Sequence, residues 1–292
     1  MIAFRQILCP VDFSEFSRHA IDHAVAIAQW YGGTVTAMHV MHPIPYADPL
    51  MSSAIVFTPE DLERTKVDLE EFAHQESSHP INTLVVQGTA APTIVHEAAT
   101  LPADLIVMGT HGRSGFEHFM LGSVTERVLR KAPCPVLTVP HRMPDVVSAG
   151  PVMFRRILCA VDFSPSSMKA LTYAASLAKE TGAQLTVMHV VEPAPVYEPV
   201  MAGGGGGDVG ADESARQASL ARIREVAPRG VLVSEAVATG KPYREILKRA
   251  HEEKSDLLVI GVHGGVADRL HFGSTTNHVI REATCPVLSL RA

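Results

Sequence analysis

The chain repeats its own sequence once, and this duplication limits the possible folds more than any other feature. Three segments of the first half recur in the second half in the same order. They are ILCPVDFS at 7–14 and ILCAVDFS at 157–164, MHV at 38–40 and 188–190, and CPVL at 134–137 and 285–288. A repeat of this length indicates two copies of one domain rather than a solenoid. The 292 residues are enough for two domains that each bury a core.

Each half alternates short apolar segments with helical patterns, which predicts an α/β fold. In the first half the predicted strands are 4–11, 34–41, 82–87, 104–108 and 135–140, and the predicted helices are 14–30, 59–78, 91–100 and 124–132. Such alternation predicts a parallel sheet with right-handed crossovers. The strand ends that carry Asp12, Val40 and Gly109 should therefore lie along one edge, where open α/β sheets bind ligands.

The domain boundaries follow from the repeat and from the residues between its copies. We predict a first domain at 1–143, a linker at 144–153 that carries two prolines and a glycine, and a second domain at 154–292. The second half also contains five consecutive glycines, Gly203–Gly207. Because such a run cannot hold one conformation, we expect a flexible insertion there.

The segment 109–123 carries the clearest functional pattern. It joins a predicted buried strand to a predicted helix and is punctuated by glycines at 109, 112, 115 and 122. Glycines let a backbone approach a bulky anion, and a helix N-terminus offers it free N–H groups. The segment therefore predicts a phosphate cradle. The alternative is a surface loop whose glycines only permit its turns.

The composition excludes several classes of protein. A formal net charge of -6 lacks the basic excess of a general nucleic-acid binder. No apolar run reaches the roughly 18 residues of a membrane span, and the N-terminal residues lack a signal-peptide pattern. The four cysteines do not form the framework of a small secreted domain, so we expect buried free thiols and a cytoplasmic location. Neither a dedicated metal site nor a catalytic constellation is expected.

Together these motifs resemble those of the universal stress protein family. Two residues separate Gly109 from Gly112, nine separate Gly112 from Gly122, and Ser123 follows, which is similar to the family's ATP-binding signature. The segments VDFS at 11–14, MHV at 38–40 and APCPVL at 132–137 belong to the same resemblance. The resemblance occurs once in each half, and its two copies together cover nearly the whole chain. It implies two tandem Rossmann-like domains, similar to adenine nucleotide alpha hydrolases, each a five-stranded parallel sheet flanked by helices.

The resemblance also implies a nucleotide site. Carried over to this chain, it places Asp12 on the ribose, backbone groups of Val40 on the adenine, and the glycines with Ser123 around the phosphates of ATP, with Mg²⁺ as a possible companion. The full set of implied residues is Pro10, Val11, Asp12, Val40, Met108, Gly109, His111, Gly112, Arg113, Gly122, Ser123 and Val124 in the first half, and Asp162, Val190, Gly261, Gly264, Gly273, Ser274 and Thr275 in the second.

The chemistry of Asp12 leaves two interpretations open. A carboxylate can accept hydrogen bonds from ribose hydroxyls, each worth roughly 1.5–3 kcal/mol. Asp12 could instead cap the first helix together with Ser14. Asp162 and Ser164 recur at the matched positions, so the two roles can coexist.

The second half departs from the signature. Only eight residues separate Gly264 from Gly273, Gly265 stands where the first half has Arg113, and Asp268 adds a negative charge to the loop. These differences from the signature predict tighter ATP binding in the first half. For the second half three outcomes stay open: it binds nucleotide, binds it weakly, or serves as a structural domain.

The histidines of the two MHV segments, His39 and His189, are expected to be core or pocket-wall residues.

Three functions remain open on the sequence alone. The first is an ATP-binding regulatory protein that acts in stress through a change of shape or of unknown protein partners, and this is the expectation. The second is a slow ATPase or a phosphoryl- or adenylyl-transferring enzyme, for which Arg113 is the one candidate at the γ-phosphate. The third is a nucleotide-free scaffold, at least in the second half. The apolar last strands, 135–139 and 286–290, predict an intrachain pseudo-twofold dimer and possible homodimers.

Overall fold

The computed structural model describes residues 2–42, 57–74, 79–110, 121–140, 154–193, 209–262 and 273–292. These residues divide into two compact units. The first contains residues up to 153 together with Ile280–Arg291, and the second contains Phe154–Val279 and Ala292. The predicted linker at 144–153 and the glycine run at 203–207 lie outside the described residues.

The first unit alternates strands and helices along the chain. Its elements are β1 (Gln6–Pro10), α1 (Glu15–Tyr31), β2 (Thr34–Met41), α2 (Pro59–His74), β3 (Ile81–Gln87), α3 (Ala90–Thr100), β4 (Leu105–Gly109), α4 (Ser123–Lys131) and β5 (Val136–Val139). The strands are parallel in the order β3-β2-β1-β4-β5. β1 and β4 lie inside the sheet, which explains their continuous apolar sequences.

The second unit repeats this order of elements. It contains β6 (Arg156–Ala160), α5 (Pro165–Thr181), β7 (Gln184–Val191), α6 (Val209–Val226), β8 (Val233–Thr239), α7 (Pro242–Glu252) and β9 (Leu257–Gly261). Its strands are parallel in the order β9-β6-β7-β8. The prediction of a parallel-dominated α/β fold in each half is confirmed. The last elements of the chain are α8 (Ser274–Glu282) and β10 (Val287–Leu290).

The C-terminal strand β10 belongs to the first unit, where it pairs antiparallel with β5. Leu288 lies opposite Leu137, and Val287 lies opposite Thr138. The hydroxyl of Thr138 donates to the carbonyl of Val287 at 3.2 Å. The paired apolar side chains are buried, so both strands satisfy edges that would otherwise be open.

The first helix of each half has matched ends. Ser14 caps α1 by accepting from the backbone N–H of Ser17, and Ser164 caps α5 in the same way at Ser167. Both helices end at a glycine in the left-handed region, Gly32 with φ 61° and Gly182 with φ 71°. The duplicated segments therefore begin and end their first helices in the same way.

All four cysteines are free thiols, and Cys9, Cys159 and Cys285 are buried. Cys134 is partly exposed, and burial raises its pKa to about 12, which keeps the sulfur protonated at neutral pH. Within the ranges that the structure describes, we find no helix with the length and apolar character needed to cross a membrane.

A buried histidine distinguishes the first unit. His23 lies on the inner face of α1 with 4% of its surface exposed, and its Nδ1–H donates to the carbonyl of His19 at 2.8 Å. Burial lowers the pKa of His23 below its ordinary value of 6.5. The hydrogen bond to the His19 carbonyl acts in the opposite direction, and the charge of the His19 side chain again lowers the pKa. The matched residue of α5 is Tyr173.

We expect His23 to make the first unit acid-sensitive. The folded state favours the neutral imidazole, so stability is full above about pH 6.5 and falls as the pH drops toward the folded pKa. The slope is at most about 1.4 kcal/mol per pH unit. The measurement is urea unfolding between pH 7.5 and 5, followed by the fluorescence of Trp30, the single tryptophan, which lies on the same helix.

The matched control is His23→Tyr, which installs the residue of the second half. The two proteins can differ in stability at pH 7.5, so the quantity compared is the slope with pH. The wild-type protein should lose more stability than the variant between pH 6.5 and 5. Equal slopes would show that His23 is not the acid-sensitive group.

Candidate functional site

The first unit has a cleft at the carboxyl ends of its strands. The cavity has a volume of 310 Å³ and lies where β1, β2 and β4 end and α4 begins. This is the edge at which open α/β sheets bind ligands. The lining residues are Pro10, Val11, Asp12, Ser17, Met38, His39, Val40, Ala90, Ile94, Met108, Gly109, Gly122, Ser123, Val124 and Thr125.

The start of α4 supplies the part of this cleft that suits an anion. Gly122 is the N-cap and brings no side-chain cap, so the first-turn N–H groups have no capping oxygen from the helix itself. The N–H of Gly122 donates to the carbonyl of Thr110 at 2.9 Å, and the hydroxyl of Thr125 donates to the carbonyl of Gly109 at 3.0 Å. These bonds hold the helix start against the end of β4. The helix dipole favours negative charge at this point.

Asp12 lies in the same cleft and also bonds Ser14, the residue that caps α1. Its Oδ1 accepts from the backbone N–H of Ser14 at 3.1 Å and from the hydroxyl of Ser14 at 2.5 Å. Phe13, between them, has a φ of 63°, a conformation that bulky residues rarely adopt. The structural role of Asp12 is therefore present, and its half-buried carboxylate still lines the cavity.

Gly109 lines the cleft, but its missing side chain serves the packing of α1. A Cβ at this position would lie 2.9 Å from the Cβ of Phe16 and 3.1 Å from its carbonyl oxygen. Gly261 is in the same situation, since a Cβ there would lie 2.7 Å from the backbone nitrogen of Ser167. The sequence assigned both glycines to a phosphate cradle. In the structure each glycine is needed for a different reason, because a side chain there would collide with the first helix of its unit, which packs closely on the strand.

The second unit has a matched and larger cleft. The cavity has a volume of 530 Å³ at the ends of β6, β7 and β9. Its lining residues are Ala160, Val161, Asp162, Ser167, Met188, His189, Val190, Val191, Glu192, Pro242, Ile246, Ile260, Gly261, Gly273, Ser274, Thr275 and Thr276. The Thr125 contact recurs here, because the hydroxyl of Thr276 donates to the carbonyl of Gly261 at 3.0 Å.

Asp162 is an exposed residue, whereas Asp12 is half-buried. Its Oδ1 accepts from the N–H of Ser164 at 3.0 Å and from the hydroxyl of Ser164 at 2.5 Å. Partial burial acts to raise the pKa of Asp162, but hydrogen bonds from Ser164 and Ser167 outweigh it and hold the pKa below the ordinary value. Asp162 is therefore ionised at neutral pH.

The structure brings together every predicted site residue that it describes. Nine of them line the first cleft and six line the second: Pro10, Val11, Asp12, Val40, Met108, Gly109, Gly122, Ser123 and Val124, and then Asp162, Val190, Gly261, Gly273, Ser274 and Thr275. His111, Gly112, Arg113 and Gly264 lie outside the described residues, as does Asp268.

Several cleft residues were absent from the predicted set. They are chiefly Ser17, His39 and Thr125 in the first unit, and Ser167, His189, Glu192 and Thr276 in the second. The duplication contained a signal for most of them, since each of the first three recurs at its matched position. That signal cannot separate a cleft wall from a core residue, because both recur equally well.

In the parts of the chain that the structure describes, no three His, Cys, Asp or Glu residues are grouped so as to hold a metal ion.

The fold and the paired clefts define a tandem α/β protein with one candidate ligand site at the carboxyl edge of each sheet. The family model described as the universal stress protein family matches residues 3–140 and again residues 153–291. The chain therefore belongs to the universal stress protein family, as a tandem member.

Individual relatives agree with this assignment. A universal stress protein of Methanocaldococcus jannaschii is 36% identical over 144 residues, which covers 47% of this chain and 82% of the relative. One from Synechocystis is 25% identical and matches over 98% of this chain and 100% of its own length. The crystal structure of a universal stress protein from Archaeoglobus fulgidus superposes with a TM-score of 0.68 at 23% identity, covering 98% of each chain.

Proposed function

We propose that this protein binds adenine nucleotide, ATP in particular, and acts as a regulatory protein in stress through nucleotide-dependent shape or partner binding. One observation carries the proposal. The start of α4, whose N-cap Gly122 has no side chain with which to cap it, opens into the same cleft as the Asp12 carboxylate and the end of β2 at Val40. The start of α4 suits the phosphates, and the carboxylate of Asp12 can accept from the ribose hydroxyls. The backbone at Val40 suits the adenine base, and all three lie at one edge of the sheet.

Signalling is favoured over turnover by the character of the cleft walls. Among the described lining residues of both clefts there is no lysine or arginine. Phosphoryl-transfer enzymes depend on positioned cations to stabilise the developing charge. Slow ATP hydrolysis, or phosphoryl or adenylyl transfer, remains the second candidate function. Arg113, in the segment 109–123, is the residue that could act at the γ-phosphate in such a reaction. With its free thiols, the protein is proposed to work in the cytoplasm.

The direct test of the proposal is the nucleotide that the protein carries from the cell. Purified protein is denatured, and the supernatant is separated by anion exchange. Adenine nucleotide in the supernatant supports the proposal. If none is found, and added ATP does not bind in titration calorimetry, the nucleotide-free scaffold is the better description of both halves.

We expect the first cleft to bind ATP more tightly than the second. Asp12 is half-buried, where a hydrogen bond to a ribose hydroxyl is less screened than at the more exposed Asp162. Asp12→Ala should weaken binding by roughly tenfold or more, equivalent to about 1.4 kcal/mol. Asp162→Ala should reduce total binding less. Titration calorimetry with ATP measures both variants.

Asp12→Asn is the control for the cap, because its amide oxygen can still accept from Ser14. If ribose binding needs the charge, Asp12→Asn should resemble Asp12→Ala in affinity while keeping wild-type stability. The larger volume of the second cavity works against the ranking, and equal losses from Asp12→Ala and Asp162→Ala would overturn it.

We further propose that the halves associate as an intrachain pseudo-twofold dimer, with homodimers as a further possibility. The support is the buried pairing of β10 with β5 within the first unit. Residues 1–143 expressed alone would lack β10 and leave β5 as an open apolar edge. They should bind residues 154–292 or self-associate in analytical ultracentrifugation. Two fragments that stay monomeric when mixed would contradict this.

A further inference from the structure

The end of β1 is tied to β2 by a side chain as well as by the backbone. Backbone pairing between the two strands reaches Pro10 and Met38. One residue further, the N–H of Val11 donates to the carbonyl of Met38 at 2.7 Å. The carbonyl of Val11 then accepts from Nδ1 of His39 at 2.7 Å. His39 thus supplies the bond that follows the last backbone pair.

The second unit repeats this arrangement. The N–H of Val161 donates to the carbonyl of Met188 at 2.8 Å, and Nδ1 of His189 donates to the carbonyl of Val161 at 2.7 Å. The cleft wall differs nearby, where Ala160 replaces Pro10. The bond from the histidine is nevertheless the same in both.

The chemistry of this bond fixes the state of each ring. A carbonyl oxygen can only accept, so Nδ1 must carry a hydrogen, and a neutral ring must be the Nδ1–H tautomer. Aromatic contacts hold the ring in place. The ring centroid of His39 lies 4.7 Å from that of Phe13, and the centroid of His189 lies 4.9 Å from that of Phe163. Both phenylalanines have a positive φ, near 60°.

The position of the bond links it to the cleft. Val11 directly precedes Asp12, and His39 directly precedes Val40. The hydrogen bond therefore joins the strand end that carries the Asp12 carboxylate to the strand end that carries Val40. Both histidines are half-buried and line their cavities.

We propose that His39 and His189 are positioning residues, whose Nδ1–H bonds hold Asp12 against Val40 and Asp162 against Val190. The effect on ligand affinity rests on the proposed nucleotide function. The positioning itself does not, and it can be measured in the ligand-free protein.

The test on ligand-free protein uses ¹⁵N NMR and two samples. Protein labelled only at histidine reports the ring nitrogens, and uniformly labelled protein reports the backbone amides. Signals that disappear in His39→Asn identify His39, and the wild-type ring should show a protonated Nδ1 at neutral pH. An asparagine amide can donate in place of Nδ1, whereas leucine cannot. His39→Leu should therefore shift the amide resonances of Asp12 and Ser14 well beyond the shifts in His39→Asn. An unprotonated Nδ1, or equal shifts in both variants, would overturn the proposal.

The second measurement is calorimetric titration with ATP. His39→Leu should weaken binding at the first cleft by about two- to tenfold, the loss expected from one hydrogen bond, and His39→Asn should restore most of it. In an Asp12→Ala background, His39→Leu should cost much less, because the residue that it positions is gone. A full additive loss would show that His39 acts independently of Asp12 and would overturn the proposal.

The two measurements separate the positioning role from the proposed function. If wild-type protein binds no ATP while the NMR result stands, nucleotide binding is wrong and the positioning role survives. If ATP binds but His39→Leu and His39→Asn behave alike in both experiments, the positioning role is wrong and the nucleotide function survives. His189→Leu and His189→Asn repeat the comparison at the second cleft.

Discussion

Replacing Gly109 or Gly261 with alanine is expected to destabilise its unit by about 2–3 kcal/mol. The new methyl group would lie 2.9 Å from the Cβ of Phe16 in the first case and 2.7 Å from the backbone nitrogen of Ser167 in the second. These neighbours belong to the first turns of α1 and α5 and cannot rotate away like the end of a flexible side chain. Each variant must therefore move a helix that is packed on the sheet.

Urea unfolding measures both effects. Trp30 fluorescence reports the first unit, so Gly109→Ala should shift the fluorescence transition to lower urea. Gly261→Ala should shift the transition seen by far-ultraviolet circular dichroism. Gly273→Ala is the matched control, because its Cβ would meet its nearest atoms at ordinary distances of 3.4 and 3.6 Å. Wild-type stability in Gly109→Ala would show that α1 adjusts freely and that Gly109 is not required for packing.

Gly122→Asp is expected to abolish triphosphate binding at the first cleft without destabilising the protein. The backbone of Gly122 has φ -55° and ψ 131°, a conformation that any residue can adopt. Aspartate is moreover a favoured N-cap residue. Its carboxylate would accept from the same first-turn N–H groups that we assign to the phosphates, and it would repel a nucleotide. We expect the ATP affinity of this cleft to fall by about a hundredfold or more, roughly 2.7 kcal/mol.

The control for charge is Gly122→Asn, which caps the helix equally well but adds no charge. It should weaken ATP binding less than Gly122→Asp. Adenosine, which has no phosphate, should bind both variants about as well as it binds the wild type. Unchanged ATP affinity in Gly122→Asp, measured by titration calorimetry, would show that the start of α4 is not the phosphate site.

The fold class, and the edge of the sheet at which a cleft is expected, could be predicted from the amino-acid sequence. The spacing and the length of the apolar segments predicted alternating strands and helices. This is possible because the spacing of apolar residues is a local property, and it determines which face of each element is buried. The duplication then gave two domains. Parallel strands place their carboxyl ends at one edge, so the sequence predicts that Asp12, Val40 and Gly109 lie along the same edge of the sheet.

The tertiary structure decided which contacts those residues make. It showed that Gly109 is small because α1 passes close to β4, and that Asp12 also bonds Ser14. It showed that His39 bonds the end of β1, and that β10 belongs to the first unit. Apart from the bond between Asp12 and Ser14, these contacts join residues far apart in the chain. A local pattern carries no information about such distances, which are set only when the elements pack.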